Sequence, residues 1–340
     1  MLLSHRRKDT GPAIAEFWRW WPQGRPSVEA AISDGDWSPA LVAEIAGRVN
    51  AIHKGLEWEF SRGNRSSHLL VVSAAGDARL RSIAERWRRA APPPDRHWEF
   101  QSTRQPDPGA LTAALTVDGF EVKLPDLAYG FTVDSSRHEV DIVVYHPMFA
   151  QMPVRERVRV VFLALDWLLG EVAAELWIGT VETVVEPTPD MRGGDALAAT
   201  VAQVAAQVDD QTWELRELRD GRRAGIASLR HPLKPVRWPH LDTYLRVEAG
   251  FPGVGDSGMP DDTALADLRA LEARLTATLG VDAVLVAHET RGGRRIFHCY
   301  AEDGRPVEAA ATAVVRGWTR GRTRVRCRPD PGWDGIRHLG

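Results

Sequence analysis

The sequence predicts an α+β fold in two domains, and three observations predict it. From residue 240 onward, strand-like and helix-like stretches follow in the order βαββαβ. That order is the ferredoxin-like split βαβ arrangement, which places both helices on one face of a four-stranded antiparallel sheet. The closing strand alternates strictly, with Arg322, Arg324, Arg326 and Arg328 on one face and Thr323, Val325 and Cys327 on the other, because a strand has period two. Upstream, strands and helices are mixed, in a chain of 340 residues that is long enough for two cores.

The elements follow in order. Residues 1–12 are polar and basic and end in Gly-Pro, so a flexible terminus is expected. Trp18, Trp20 and Trp21 precede Pro22 and read as a short helix that anchors its rings in a groove, or as an aromatic platform for a ligand. Ser38-Pro39 opens a helix with Leu41, Ile45, Val49 and Ile52 near helical spacing. Strands are expected at residues 57–60 and 68–73, with a turn at Gly63-Asn64. Asp77 caps a helix with Trp87 inward, stopped by the prolines at 92–94. Residues 98–103 read as a strand, and Asp118-Gly119 is a strong hairpin signal. Residues 131–133 and 140–145 read as two further strands. A long buried helix runs to Gly170, and a strand starts at Glu175.

Residues 187–239 read as a linker with a small helix and a hairpin at Asp220-Gly221. The domains expected are therefore residues 13–186 and 240–340. In the second, Asp262 caps a helix lined by Leu265, Leu268, Leu271, Leu275 and Leu279 and ended by Gly280. Gly292-Gly293 turns one strand into the next, and Pro306 begins the second helix.

Composition excludes several classes. A net charge of −3 provides no global pull toward nucleic acid or membrane. Lysine occurs only at positions 8, 54, 123 and 234, so the arginine excess reads as the imprint of a GC-rich bacterial genome. No apolar run reaches the ~18 residues of a membrane helix, and no signal segment opens the chain. A cytoplasmic protein is expected. Cys299 and Cys327 are expected to be inert core thiols rather than a disulfide framework.

Residues 240–243, the leucine-rich helix, residues 293–300 and the closing Asp330-Pro331-Gly332-Trp333 resemble the bacterial domain of unknown function 695. The resemblance covers about the last hundred residues. Residues 73–76 and 165–171 resemble the segment that precedes this domain in some bacterial proteins. The layout is also similar to the regulator of ribonuclease activity B, which implies a partner that degrades RNA. That likeness rests on layout and is analogy.

Two sites are candidates. Arg322, Arg324, Arg326 and Arg328, with Arg316 and Arg320 nearby, could meet phosphates or an acidic protein surface. With Tyr244, His298 and Tyr300 they would make an RNA-binding face, if those aromatics are open for stacking. Charged side chains on an edge strand also discourage unwanted pairing. Asp166, in a helix apolar nearly all round, needs a partner, and with Glu171 it could form an acidic catalytic site in an interdomain cleft. The histidines are scattered, with His288 and His298 expected as a cross-strand pair, so no metal and no cofactor is expected. Cys299 beside His298 points to the opposite face, which argues against a nucleophile pair. Gly253, Gly255 and Gly258 read as a flexible loop rather than a dinucleotide site. With no convergent catalytic set, a non-catalytic interaction or regulatory module with a protein partner is expected, with regulation of a ribonuclease and neutralisation of a toxin as its two concrete forms. A hydrolase at Asp166 and Glu171 and an RNA-binding protein are the alternatives.

Overall fold

The computed structural model describes residues 9–209, 211–220, 223–255 and 257–339. Residues 1–8 of the expected flexible terminus and Gly221 of the expected turn lie outside them. The first half contains α1 (Gly11–Asp34), α2 (Pro39–Ile52), β1 (Glu57–Arg62), β2 (His68–Ser73), α3 (Arg81–Arg89), β3 (Trp98–Gln101), β4 (Ala114–Val117), β5 (Phe120–Lys123), β6 (Ala128–Asp134), β7 (Glu139–Tyr145) and α4 (Val154–Leu169). Then come α5 (Glu171–Trp177), β8 (Ile178–Val184), α6 (Gly194–Ala205), β9 (Trp213–Asp220), β10 (Arg223–Arg230), β11 (Thr243–Gly250), α7 (Asp262–Leu279), β12 (Ala283–Arg291), β13 (Arg294–Ala301), α8 (Val307–Val315) and β14 (Thr323–Pro329). The protein is α+β, and among the described residues no helix is long and apolar enough to cross a membrane.

Two compact units emerge, and neither is continuous in sequence. The first is residues 1–127 with 147–174, and the second is 128–146 with 175–340. The boundary expected at 187–239 therefore differs from this division, because β7 pairs with β8 and draws β6 and β7 into the second unit.

In the first unit β1 is antiparallel to β2, and β2 is parallel to β3. Trp18, Trp20 and Trp21 are not a platform for a ligand. Phe17, Trp20, Trp21, Trp87 and Trp98 are buried together, and the Trp18 indole donates to the Trp87 carbonyl at 2.9 Å. The helix expected to stop at Pro22 instead continues to Asp34, with Pro22 and Pro26 inside it. Both prolines are exposed, while Trp20, Trp21, Gly24 and Val28 are buried. Burial of that apolar face outweighs the hydrogen bonds that the prolines remove. The β4–β5 turn is as expected, with positive φ at Asp118 (47°) and Gly119 (87°).

In the second unit the βαββαβ order produces strand order β14-β11-β13-β12, every pair antiparallel. The sheet does not stop at four strands. The hairpin β9–β10, expected in the linker, pairs onto β12 and extends it to six. Residues 187–239 therefore contain sheet, because β12 offers an edge that β10 fills. Helices α7 and α8 cover one face, burying Leu268, Leu271, Leu275, Phe297 and Cys299. Asp261, one residue earlier than expected, caps α7 by accepting from the Ala264 amide at 2.7 Å. The opposite face is covered in part by the chain itself. Trp333, Ile336 and Leu339 of the C-terminal turn pack there on Tyr244, Tyr300 and Val286, with Leu241 and Trp238 beside them. A separate three-stranded sheet, β6-β7-β8, carries α6, and the strand expected from Glu175 starts at Ile178 because α5 precedes it.

Candidate functional site

The face of the six-stranded sheet away from α7 and α8 divides into a sealed aromatic half and a basic half. In the sealed half the Tyr300 and Trp333 rings lie parallel at 3.8 Å, and Trp238 stacks on Trp333 at 5.7 Å. The Tyr300 hydroxyl donates to Asp330 at 2.7 Å, and the same carboxylate accepts from the Asp334 and Gly335 amides. Asp330 thereby folds the last turn down onto the sheet. Residues 240–243, 293–300 and 330–333 meet here. The consequence for the expected RNA face is direct. Tyr244, His298 and Tyr300 share one face as expected, but are 4%, 1% and 0% exposed, so no base can stack on them.

The basic half is open. Strand β14 is an edge, paired only with β11, and Arg324, Arg326 and Arg328 lie opposite Glu248, Arg246 and Tyr244. All three arginines are exposed, as is Arg322 just before the strand. Arg246 and Arg294 project from the same face by register. Burial, with the charges of Arg294 and Arg326, lowers the Arg246 pKa, although Glu248 pairs with it. Arg328 reaches over the Tyr244 ring at 5.4 Å. Arg320 is not part of this patch, since it pairs with Asp267 on α7, and exposed Arg316 sits at the end of α8.

Where the two halves meet, a cluster that the sequence reading missed comes together. Glu289 of β12 lies 2.9 Å from His298 Nε2 and 2.6 Å from His338 Nε2, through one carboxylate oxygen. Tyr244 Oη is 2.5 Å from the other His298 nitrogen, Nδ1. Burial works to raise the Glu289 carboxyl, but the two imidazoles beside it hold it down at about 2. Burial also lowers the His298 pKa. The expected His288–His298 pair does not form, because His288 sits opposite Phe297 and faces Glu272 on α7 at 3.7 Å. Among the described residues, these three side chains are the set whose donor atoms could share a metal ion.

Asp166 and Glu171 belong to the first unit and converge on Arg104. Its guanidinium donates to Asp166 at 2.7 Å and grips Glu59 with bonds of 2.7–3.0 Å. Its backbone exchanges hydrogen bonds with Glu171, Arg104 N to Oε2 at 3.1 Å and Glu171 N to Arg104 O at 3.0 Å. Burial opposes the charge on Arg104, yet Glu59 and Asp166 raise its pKa. This is the structural pairing that a carboxylate in an apolar helix requires. Burial, and then Asp166, raise the Glu171 pKa above its ordinary 4.5, against the pull of the Arg104 amide. A group raised on folding stabilises below its unfolded pKa and loses that contribution as pH rises through the folded one. Glu171→Gln, which keeps the acceptor oxygen without the charge, is therefore expected to raise Tm at pH 7 by roughly 1–3 °C. The gain should vanish near pH 4, and differential scanning calorimetry at both pH values checks it.

The remaining motifs are structural. Burial pushes the Cys299 thiol up to about 12, and Cys327 is half-buried on the same face of the sheet, opposite to His298. The glycine-spaced loop is knitted to the β12–β13 turn by Gly293 N to Gly258 O and Phe251 N to Gly293 O, both 2.8 Å. A Cβ on Gly253 would meet Gly258 at 2.6 Å, so the glycines permit close backbone approach rather than phosphate binding. A cleft of about 310 Å³ in the second unit is lined by Trp177, Trp238, Arg230, Arg237 and Asp209. Its guanidinia donate to backbone carbonyls, Arg230 to Leu285 and Arg237 to Pro232.

What the fold and site define is an α+β protein with a basic sheet edge beside a partly buried histidine–carboxylate cluster. No protein-family model matches the chain, no curated protein matches it, and no solved structure matches it.

Proposed function

We propose that this protein is a non-catalytic interaction module that binds an acidic segment of a partner protein along β14. One observation carries the reading: an edge strand with three exposed guanidinia in register, Arg324, Arg326 and Arg328, backed by Arg246 and Arg294. An extended segment can add to such an edge through main-chain hydrogen bonds, with alternate side chains setting specificity. Arginines on an edge oppose pairing with another basic strand. Carboxylates at alternate positions of an incoming strand turn that opposition into attraction. Burial of Tyr244, His298 and Tyr300 favours a protein segment over single-stranded RNA, which needs stacking surfaces.

The C-terminal unit is read as a ferredoxin-like domain extended by one hairpin, and as a relative of the domain of unknown function 695. Within this class, a cytoplasmic regulator of an RNA-degrading enzyme and a toxin-neutralising protein are two concrete forms. The test is affinity purification from the native host with the wild type and with Arg324→Glu, Arg326→Glu, Arg328→Glu. Both proteins are first matched in melting temperature. A protein partner that survives ribonuclease treatment is expected to bind the wild type and to lose at least roughly tenfold in affinity, about 1.4 kcal/mol, for the variant. Recovery of RNA alone, or of a partner indifferent to the three charge reversals, sinks the reading.

A further inference from the structure

We propose that Glu289, His298 and His338 form a site for one divalent transition-metal ion, with zinc the ion that the donor set suits. The inference is independent of the β14 edge. Two imidazole nitrogens and one carboxylate oxygen are the mixed nitrogen and oxygen donors that such ions take, and a three-residue set leaves a further position open. Three ligands about 2 Å from a shared ion stand roughly 3–3.5 Å from one another. The donor atoms here all lie within 4.8 Å of one another, with Glu289 Oε1 at 2.9 Å from one imidazole and 2.6 Å from the other. Little movement separates this cluster from a coordination shell.

The fold builds the cluster on rigid ground. Glu289 faces Ile296 across the hairpin, and His298 lies two residues further along β13, so the two side chains are diagonal neighbours on one face. His338 arrives from the C-terminal turn that Asp330 and Trp333 pin to the sheet. Its side chain is 51% exposed, whereas those of His298 and Glu289 are 2% and 3% exposed. The open position therefore faces the solvent side of the cluster.

A second observation points to a ligand. His298 is sealed, yet its Nε2 makes no hydrogen bond of proper alignment, even with Glu289 at 2.9 Å. A buried polar nitrogen left in that state is costly. The other nitrogen, Nδ1, meets Tyr244 Oη at 2.5 Å. If Nδ1 carries the proton and donates it to the tyrosine oxygen, Nε2 presents its lone pair toward Glu289 and His338. That is how an outer-shell partner fixes a metal-binding tautomer. A metal-free cluster offers a different account, with His338 donating to Glu289, and it leaves His298 Nε2 unanswered.

Titration of the full chain with zinc chloride by isothermal calorimetry decides between them, with cobalt(II) visible absorption as a second readout. One equivalent is expected to bind and to raise Tm. His338→Ala, at a half-exposed side chain, should fold normally by circular dichroism and weaken zinc binding by roughly tenfold or more, abolishing the cobalt band. Tyr244→Phe should weaken binding by about ten- to a hundredfold, as loss of an outer-shell partner does. His97→Ala, in the other unit, should change nothing. Absence of saturable binding up to ~1 mM zinc, or an affinity unchanged in folded His338→Ala, overturns the proposal.

Discussion

Replacing Trp333 by alanine is expected to destabilise the protein by about 3–5 kcal/mol, the cost of truncating a fully packed aromatic. The indole is 4% exposed, lies parallel to Tyr300 at 3.8 Å, stacks with Trp238 at 5.7 Å, and donates to the Leu241 carbonyl at 3.0 Å. Its removal leaves a gap beneath the C-terminal turn and an unpaired carbonyl. The backbone at Trp333 has φ of 58°, which alanine tolerates no better, so no relief of strain offsets the loss. Trp333→Phe should cost less, about 1–2 kcal/mol, because it keeps a ring and loses mainly the hydrogen bond. Urea unfolding gives both numbers, and amide exchange in β11 and β13 locates the weakened region. A loss under about 1 kcal/mol in Trp333→Ala would mean that the terminal turn does not seal the sheet. The covered aromatic face would then be open again to a stacking ligand.

Local periodicity was readable, and long-range closure was not. The α7 leucines, the alternation along β14, and the Asp118-Gly119 and Gly292-Gly293 turns each declare themselves within about ten residues, and the structure places them as expected, except that Leu265 is only part-buried. Helix α1 continues through Pro22 because an aromatic core formed with α3 and β3 supplies more than the local sequence removes. The β9–β10 hairpin was visible as a hairpin, but its place beside β12 depends on an edge built some sixty residues later. The closure of the second sheet face depends on Asp330, which no periodicity marks.

The cluster at Glu289 was half legible. A two-residue turn at Gly292-Gly293 puts Arg291 opposite Arg294, and counting back puts His288 opposite Phe297 and Glu289 opposite Ile296. That count separates His288 from His298 and brings Glu289 to the face of His298. The expected His288–His298 pair ignored it. The contribution of His338 could not be counted in this way, since an irregular turn carries it back across the chain to the sheet.

Arg104→Ala is expected to cost about 3 kcal/mol, because removing one member of a buried ion pair leaves its partners charged and unmatched. The value sits at the low end of that range, since Glu59 and Asp166 keep 29% and 20% of their side-chain surface in solvent. Three carboxylates from three elements then face one another: Glu59 on β1, Asp166 on α4 and Glu171 at the start of α5. The backbone bonds between Arg104 and Glu171 survive the substitution, so the loss reports the guanidinium. Adding Asp166→Asn should restore part of the stability, because it removes one of the unmatched charges. A double-mutant cycle in urea measures that coupling. Additive losses would mean that Asp166 does not depend on Arg104, and would return it to consideration as an acid or base. Strong coupling fixes it as the anionic half of a structural pair, in which a protonation change costs stability rather than driving chemistry.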